Sequence, residues 1–230
     1  MRTGRRGLVT AGLSALLGMS FGARAQSQAA RDELLRAVKR DDPHAVRTAL
    51  LRGADANAAD ENGEPVLVLA ARNKSWAAVR ALAELRGTRL DVANASGSTA
   101  MMYASLHGEL GLVEFLVARK AEVNRPGWTP LHFAAANGHV DVIRFLLEHH
   151  AYIDAESPNG TTPLMMAARQ SHPTAAQLLL DEGADPTPRN QAGLDAAAYA
   201  KAAGHAALSQ ELVKRAVVFR QKYGTPAPSR

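Results

Sequence analysis

The sequence predicts an all-α solenoid: an array of helix-turn-helix units stacked side by side and joined by short turns. Two features of the sequence and its overall composition predict it. Gly63, Gly97, Gly127, Gly160 and Gly193 recur at intervals of 34, 30, 33 and 33 residues. After each comes the same order of a turn, an alanine-rich stretch, a second turn and an apolar stretch. The composition is 47% apolar and only 5% aromatic, so small side chains must fill most of the interior. A period of this size marks units that cannot bury their own apolar face and must stack on their neighbours.

Residues 1–25 stand apart. MRTGRRG is short and basic, residues 8–22 form an uncharged apolar run, and Ala23-Arg24-Ala25 is an A-x-A cleavage pattern before Gln26. This is the three-part layout of a signal peptide, and the run is shorter than the ~20 residues of a spanning helix. The alternatives are a membrane anchor or a disordered tail. Arg5-Arg6 before Gly7-Leu8-Val9 matches a twin-arginine signal in part, with Gly4 where Ser or Thr is usual; a plain basic segment for general export is the other reading. Either route places the remaining chain in the periplasm, without stable membrane insertion.

The net charge of +5 does not mark a nucleic-acid binder. Residues 1–25 carry four Arg and no acid, and residues 214–230 carry five basic residues and no acid. The body between, 26–213, has 18 basic against 22 acidic residues, so it offers no basic face for nucleic acid. The absence of cysteine excludes disulfides, thiolate metal sites and a cysteine nucleophile.

Residues 32–57 read as an N-terminal half-repeat with helices at about 32–40 and 43–52. Arg31, Arg36, Arg40 and Arg47 suit a solvent-facing cap. Full repeats follow at about 60–93, 94–124, 125–155 and 156–189, and residues 190–215 form a C-terminal cap. Thr before Pro at 129–130 and 162–163 predicts an N-cap followed by a first-turn proline. Ala-Ala pairs at 70–71, 134–135 and 167–168 allow close helix approach, and Val142, Phe145 and Leu146 mark a core stripe. Residues 216–230 read as a basic helical extension, reaching about Tyr223, and a disordered tail.

These motifs carry a family resemblance. Thr129-Pro130-Leu131-His132 matches the T-P-L-H motif of ankyrin repeats in full, and Thr162-Pro163-Leu164-Met165 differs only at the histidine. Gly53-Ala54-Asp55-Ala56-Asn57 and Gly183-Ala184-Asp185 match the motif that closes the second helix. The chain resembles an ankyrin-repeat protein over roughly residues 31–215. Departures are Pro65-Val66-Leu67-Val68, Thr99-Ala100-Met101-Met102 and Gly193-Leu194-Asp195-Ala196 in place of T-P-L-H, and Lys74 at a mid-repeat glycine position. Asn124 to Gly127 is three residues shorter than Asn57 to Gly63, so the third β-turn finger is expected to be clipped.

No catalytic constellation emerges: the chain lacks G-x-S-x-G, a P-loop and H-E-x-x-H. The expectation is a non-enzyme without cofactor or metal. His132 and His139 fall where the resemblance implies structural hydrogen bonds, and adjacent His149-His150 lack the spacing that puts two imidazoles on one helix face. Met101-Met102 and Met165-Met166 fit either core filling or a soft-metal or peroxide role. Asp41-Asp42, Asp60-Glu61 and Asp181-Glu182 fall at helix ends or turns.

The resemblance implies a monomer that binds another protein on a concave face built from the fingers and first helices. Mapped onto this chain, that face holds Glu61, Asn62, Glu64, Arg72 and Asn73, then Ser98, Leu106 and His107. It continues with Arg125, Trp128, Ala136 and Asn137, and ends with Asn159, Thr161, Arg169 and Gln170. Trp128 either anchors a partner or packs on a neighbouring first helix; Tyr103 joins its patch. The implied roles are a scaffold for another exported protein, or an immunity or inhibitor protein that blocks a toxin or enzyme. The basic segment Lys214–Tyr223 fits an acidic partner, an anionic lipid or a solvated extension.

Overall fold

The structure, a computed structural model, describes residues 26–224. The export signal expected at 1–25 and the tail beyond 224 lie outside the described residues. The chain divides into two compact units, Met1–Thr88 and Arg89–Arg230.

In the first unit, helix α1 occupies residues 26–39, so it is already helical six residues before the expected start. The reason is local. Gln28 donates to the Asp32 carboxylate one turn on (3.0 Å), and Ala30 is buried with Leu34, Ala37 and Val38 on one stripe. Arg31 does not simply face solvent; its Nε donates to the Ala59 carbonyl (3.0 Å) and ties α1 to the finger. Asp42 caps α2 (Pro43–Leu51) by accepting from the backbone N–H groups of His44 and Ala45. The finger follows, closed by a bridge between Ala59 and Pro65. Then come α3 (Val66–Arg72) and α4 (Trp76–Glu84). Six of the seven α3 residues are buried, which explains the run Val66-Leu67-Val68-Leu69-Ala70-Ala71.

The second unit repeats one pattern. Seven-residue first helices α5 (Ala100–Leu106), α7 (Pro130–Ala136), α9 (Pro163–Arg169) and α11 (Ala196–Ala202) pack in succession. The second helices α6 (Leu110–Ala118), α8 (Val140–Glu148) and α10 (Pro173–Asp181) have nine residues each, and α8 packs against both α6 and α10. The last, α12 (Ala206–Tyr223), has 18. Thr99, Thr162 and Asp195 cap their first helices through bonds to the backbone of Met102, Met165 and Ala198. Among the described residues there is no extended strand, only the one isolated bridge.

A side chain at the base of each finger binds the next repeat. Asp91 accepts from the Glu122 N–H (2.8 Å), Asn124 from Tyr152 (2.8 Å) and Asp154 from Asp185 (3.0 Å). The mid-repeat turns are equally specific. Gly138 has φ +69°, and a Cβ there would sit 2.6 Å from the His172 ring; Gly108 meets His139 in the same way. That space lets His139 Nε2 reach the Leu106 carbonyl at 3.0 Å, as a repeat-bridging bond.

A first-helix surface as candidate binding site

The site is built from helix register. The first helices of the second unit have equal length and pack in succession, so equivalent positions align. Their fourth residues are Tyr103, Phe133, Met166 and Tyr199. Tyr103, Phe133 and Tyr199 are half-buried, and Met166 is nearly covered. Asn94 and Asn190 orient the two tyrosines by donating to their hydroxyls, at 3.5 and 2.7 Å. The seventh residues are Leu106, Ala136, Arg169 and Ala202, and the following caps are His107, Asn137, Gln170 and Ala203. The surface is thus a row of three aromatic rings, interrupted by the buried Met166 and bordered by His107, Asn137, Arg169 and Gln170.

Trp128 joins that row. It is half-buried, with its ring 5.2 Å from His132 at 75° and 6.2 Å from Phe133 at 55°. Both readings of Trp128 hold in part: one side packs on α7, and the remainder stays open to solvent. The clipped finger explains its position. In the other fingers of this unit Asn94, Ser157 and Asn190 pair backbone N–H to carbonyl with Ser98, Thr161 and Leu194. Asn124, like Asp91 and Asp154, spends its side chain on the next repeat, here on Tyr152 and His150. With three residues missing nothing takes the place of Asn94, Ser157 or Asn190 to pin a hairpin tip, and Trp128 lies against α7. Arg125 beside it is half-buried, with Nη1 covered.

His132 organises the floor beneath. Its Nε2 donates to the Thr161 carbonyl (2.9 Å), so Nδ1 accepts from the Thr129 N–H (3.2 Å) and lies 2.9 Å from the Thr129 hydroxyl. The side chain is fully buried, and desolvation holds its pKa down at about 4, against the backbone hydrogen bonds that favour protonation. It is a neutral structural imidazole. Asp154 has its pKa pushed up to about 6 by burial, opposed by the Asp185 N–H.

Several expected site residues stand elsewhere. Thr161 is corrected: it is 1% exposed, because its carbonyl binds His132 and its hydroxyl receives Asn190 Nδ2. Ala136 is likewise buried, at 7% exposed. Glu64 and Arg72 form an ion pair at 2.6 Å that ties finger to α3. Glu61, Asn62 and Asn73 are exposed in the first unit. In the second unit Asn137, Asn159, Arg169 and Gln170 are exposed, while Ser98, Leu106 and His107 are half-buried. Phe133 and Tyr199 are the surface residues that sequence reasoning missed; their equal position in each first helix was the available signal. Met101, Met102 and Met165 are at most 2% exposed and Met166 is 8% exposed, which fits core filling. No cluster of three or more His, Asp or Glu arranged to hold a metal occurs among the described residues.

Comparison with known proteins agrees with this architecture. A family model for ankyrin repeats matches residues 34–127 and 121–190. The chain is similar to NF-kappa-B inhibitor alpha of Sus scrofa, with 37% identity over 93 residues, 38% of this chain and 30% of that protein. It therefore spans less than a third of the length of that curated relative.

Proposed function

The chain belongs to the ankyrin-repeat family, and from that premise we propose that it is an exported, non-enzymatic binding protein whose partner is another protein of the same compartment. The observation that carries the reading is the aromatic row Tyr103–Phe133–Tyr199 with Trp128 beside it. Four half-open aromatic or amphipathic rings on a rigid floor are what a protein interface uses as anchors. Exposed Asn137, Asn159, Arg169 and Gln170 supply a polar rim. Export rests on the sequence of residues 1–25, and it makes the periplasm the working compartment.

A second reading, an inhibitor or immunity protein, is favoured by the name of the relative, which is an inhibitor. In that case the occupant is a toxin or enzyme whose active site is covered. The scaffold and inhibitor readings share one surface and one test. The chain from Gln26 onward is cross-linked to its partner in a periplasmic extract of the source cells, beside Trp128→Ala and Phe133→Ala. Loss of the same partner in both variants supports the surface. Retention in both refutes it. Recovery of an enzyme whose activity falls on binding selects the inhibitor reading.

A further inference from the structure

The internal repeats give a measure of how long a second helix needs to be. In α6, α8 and α10 nine residues suffice. Helix α12 has 18, and its packing ends at Ala216, so Val217–Tyr223 overhang by about 10 Å at the normal rise. Packing does not account for the excess: the buried residues are Leu208, Leu212 and Ala216, and none follows Ala216 among the described residues. The overhang is nonetheless apolar. Val217 is 46% exposed, Val218 55% and Tyr223 64%, the Phe219 ring lies 4.6 Å from Tyr223, and Val213, one turn before the overhang, is 53% exposed. By helical register Val213, Val217, Phe219 and Tyr223 fall on one broad side, and Lys214, Gln221 and Lys222 on the other. Val218 falls among the polar residues and Arg220 among the apolar ones, where a long side chain can reach outward.

The charge is equally one-sided. From Lys214 to Arg230 the sequence has five basic residues and no acid. Arg215 is neutralised by Asp181 and Glu211, at 2.9 Å each. Lys214, Arg220 and Lys222 make no ion pair among the described residues; Lys222 lies 4.9 Å from the Tyr223 ring centre. We propose that the end of α12, from Val213 to Tyr223, docks the protein on an anionic phospholipid surface, as a peripheral and reversible contact. An apolar partner would cover the valines and leave the cations unpaired. A bilayer interface accepts Val213, Val217, Phe219 and Tyr223 at headgroup depth and pairs the cations with lipid phosphates, with no need for a shaped socket. No described helix is long and apolar enough to cross a membrane, so the contact lies on the surface.

The test is co-sedimentation of the chain from Gln26 onward, which holds every described helix, with vesicles. Pure phosphatidylcholine is compared with phosphatidylcholine containing one-third phosphatidylglycerol. The expected result is binding to the anionic vesicles alone, weakening as salt shortens the screening length. Lys214→Gln/Arg220→Gln/Lys222→Gln removes three cations at exposed positions. At about fivefold per cation, the partition coefficient should drop roughly a hundredfold, with an unchanged circular dichroism melt. Val213→Ser/Val217→Ser should weaken binding without altering its salt dependence. Equal binding to neutral vesicles, or full binding by the triple variant, overturns the proposal. So does an absence of binding to either vesicle, which would leave the overhang to an acidic protein.

Discussion

Replacing His132 by Met should destabilise the protein at pH 7 and cost much less at pH 5. Met is the right substitute because Met165 fills the equivalent position of the next repeat and is equally buried. At pH 7 the variant loses two hydrogen bonds and strands the Thr129 N–H, while the Thr161 carbonyl keeps the Ser157 N–H, for a cost of about 1–3 kcal/mol. The wild type has its own weakness in acid. The folded imidazole titrates at about 4 against an ordinary value of 6.5. A depressed histidine means that the unfolded chain takes up a proton which the native state refuses. Stability is therefore lost as the pH falls through 6.5, and the loss levels off below 4. From pH 7 to pH 5 this removes about 2 kcal/mol from the wild type and nothing from the variant. The assay is urea unfolding of both proteins at half-unit steps from pH 7.5 to 4.5. Other titrating groups, Asp154 included, are common to both and cancel in the difference. A difference that stays constant with pH would refute the reading of His132 as a buried neutral imidazole.

Three further outcomes follow from the same packing. Asp154→Asn keeps the acceptor for the Asp185 N–H and removes a carboxylate whose pKa is raised to about 6; it should stabilise the protein by about 1–2 kcal/mol at pH 7, and thermal melts should show the gain disappear below about pH 4. Gly138→Ala should cost at least about 2 kcal/mol in urea unfolding, since φ is +69° and the new Cβ would strike the His172 ring. Lys120→Gly should have the opposite sign and raise stability by about 1 kcal/mol, because Lys120 holds φ +72° where the equivalent turns after α2 and α10 use Gly53 and Gly183. A lower melting temperature for Lys120→Gly would mean that its side chain makes a contact worth more than the strain.

Family and fold class were legible because they are written in period. Glycines needing positive φ, Thr-Pro helix starts and alanine pairs act locally, and each leaves a mark at a fixed place in the repeat. The resemblance also placed His132 correctly, since its partner Thr129 is three residues away in the same turn. Thr161 was misplaced for the complementary reason. What buries it is His132, 29 residues earlier, and Asn190, 29 residues later, and no local pattern records either.

The sequence by itself determined the number and order of the helices, the caps and the clipped finger, because these depend on backbone preferences within a few residues. Only the tertiary structure decided which side chains remain available. Stacking brings Tyr103, Phe133 and Tyr199 into one row, seats Trp128 on α7, and leaves α12 overhanging with its valines uncovered. Exposure is a property of what packs alongside, and in a repeat protein much of that packing comes from a full repeat away in the chain.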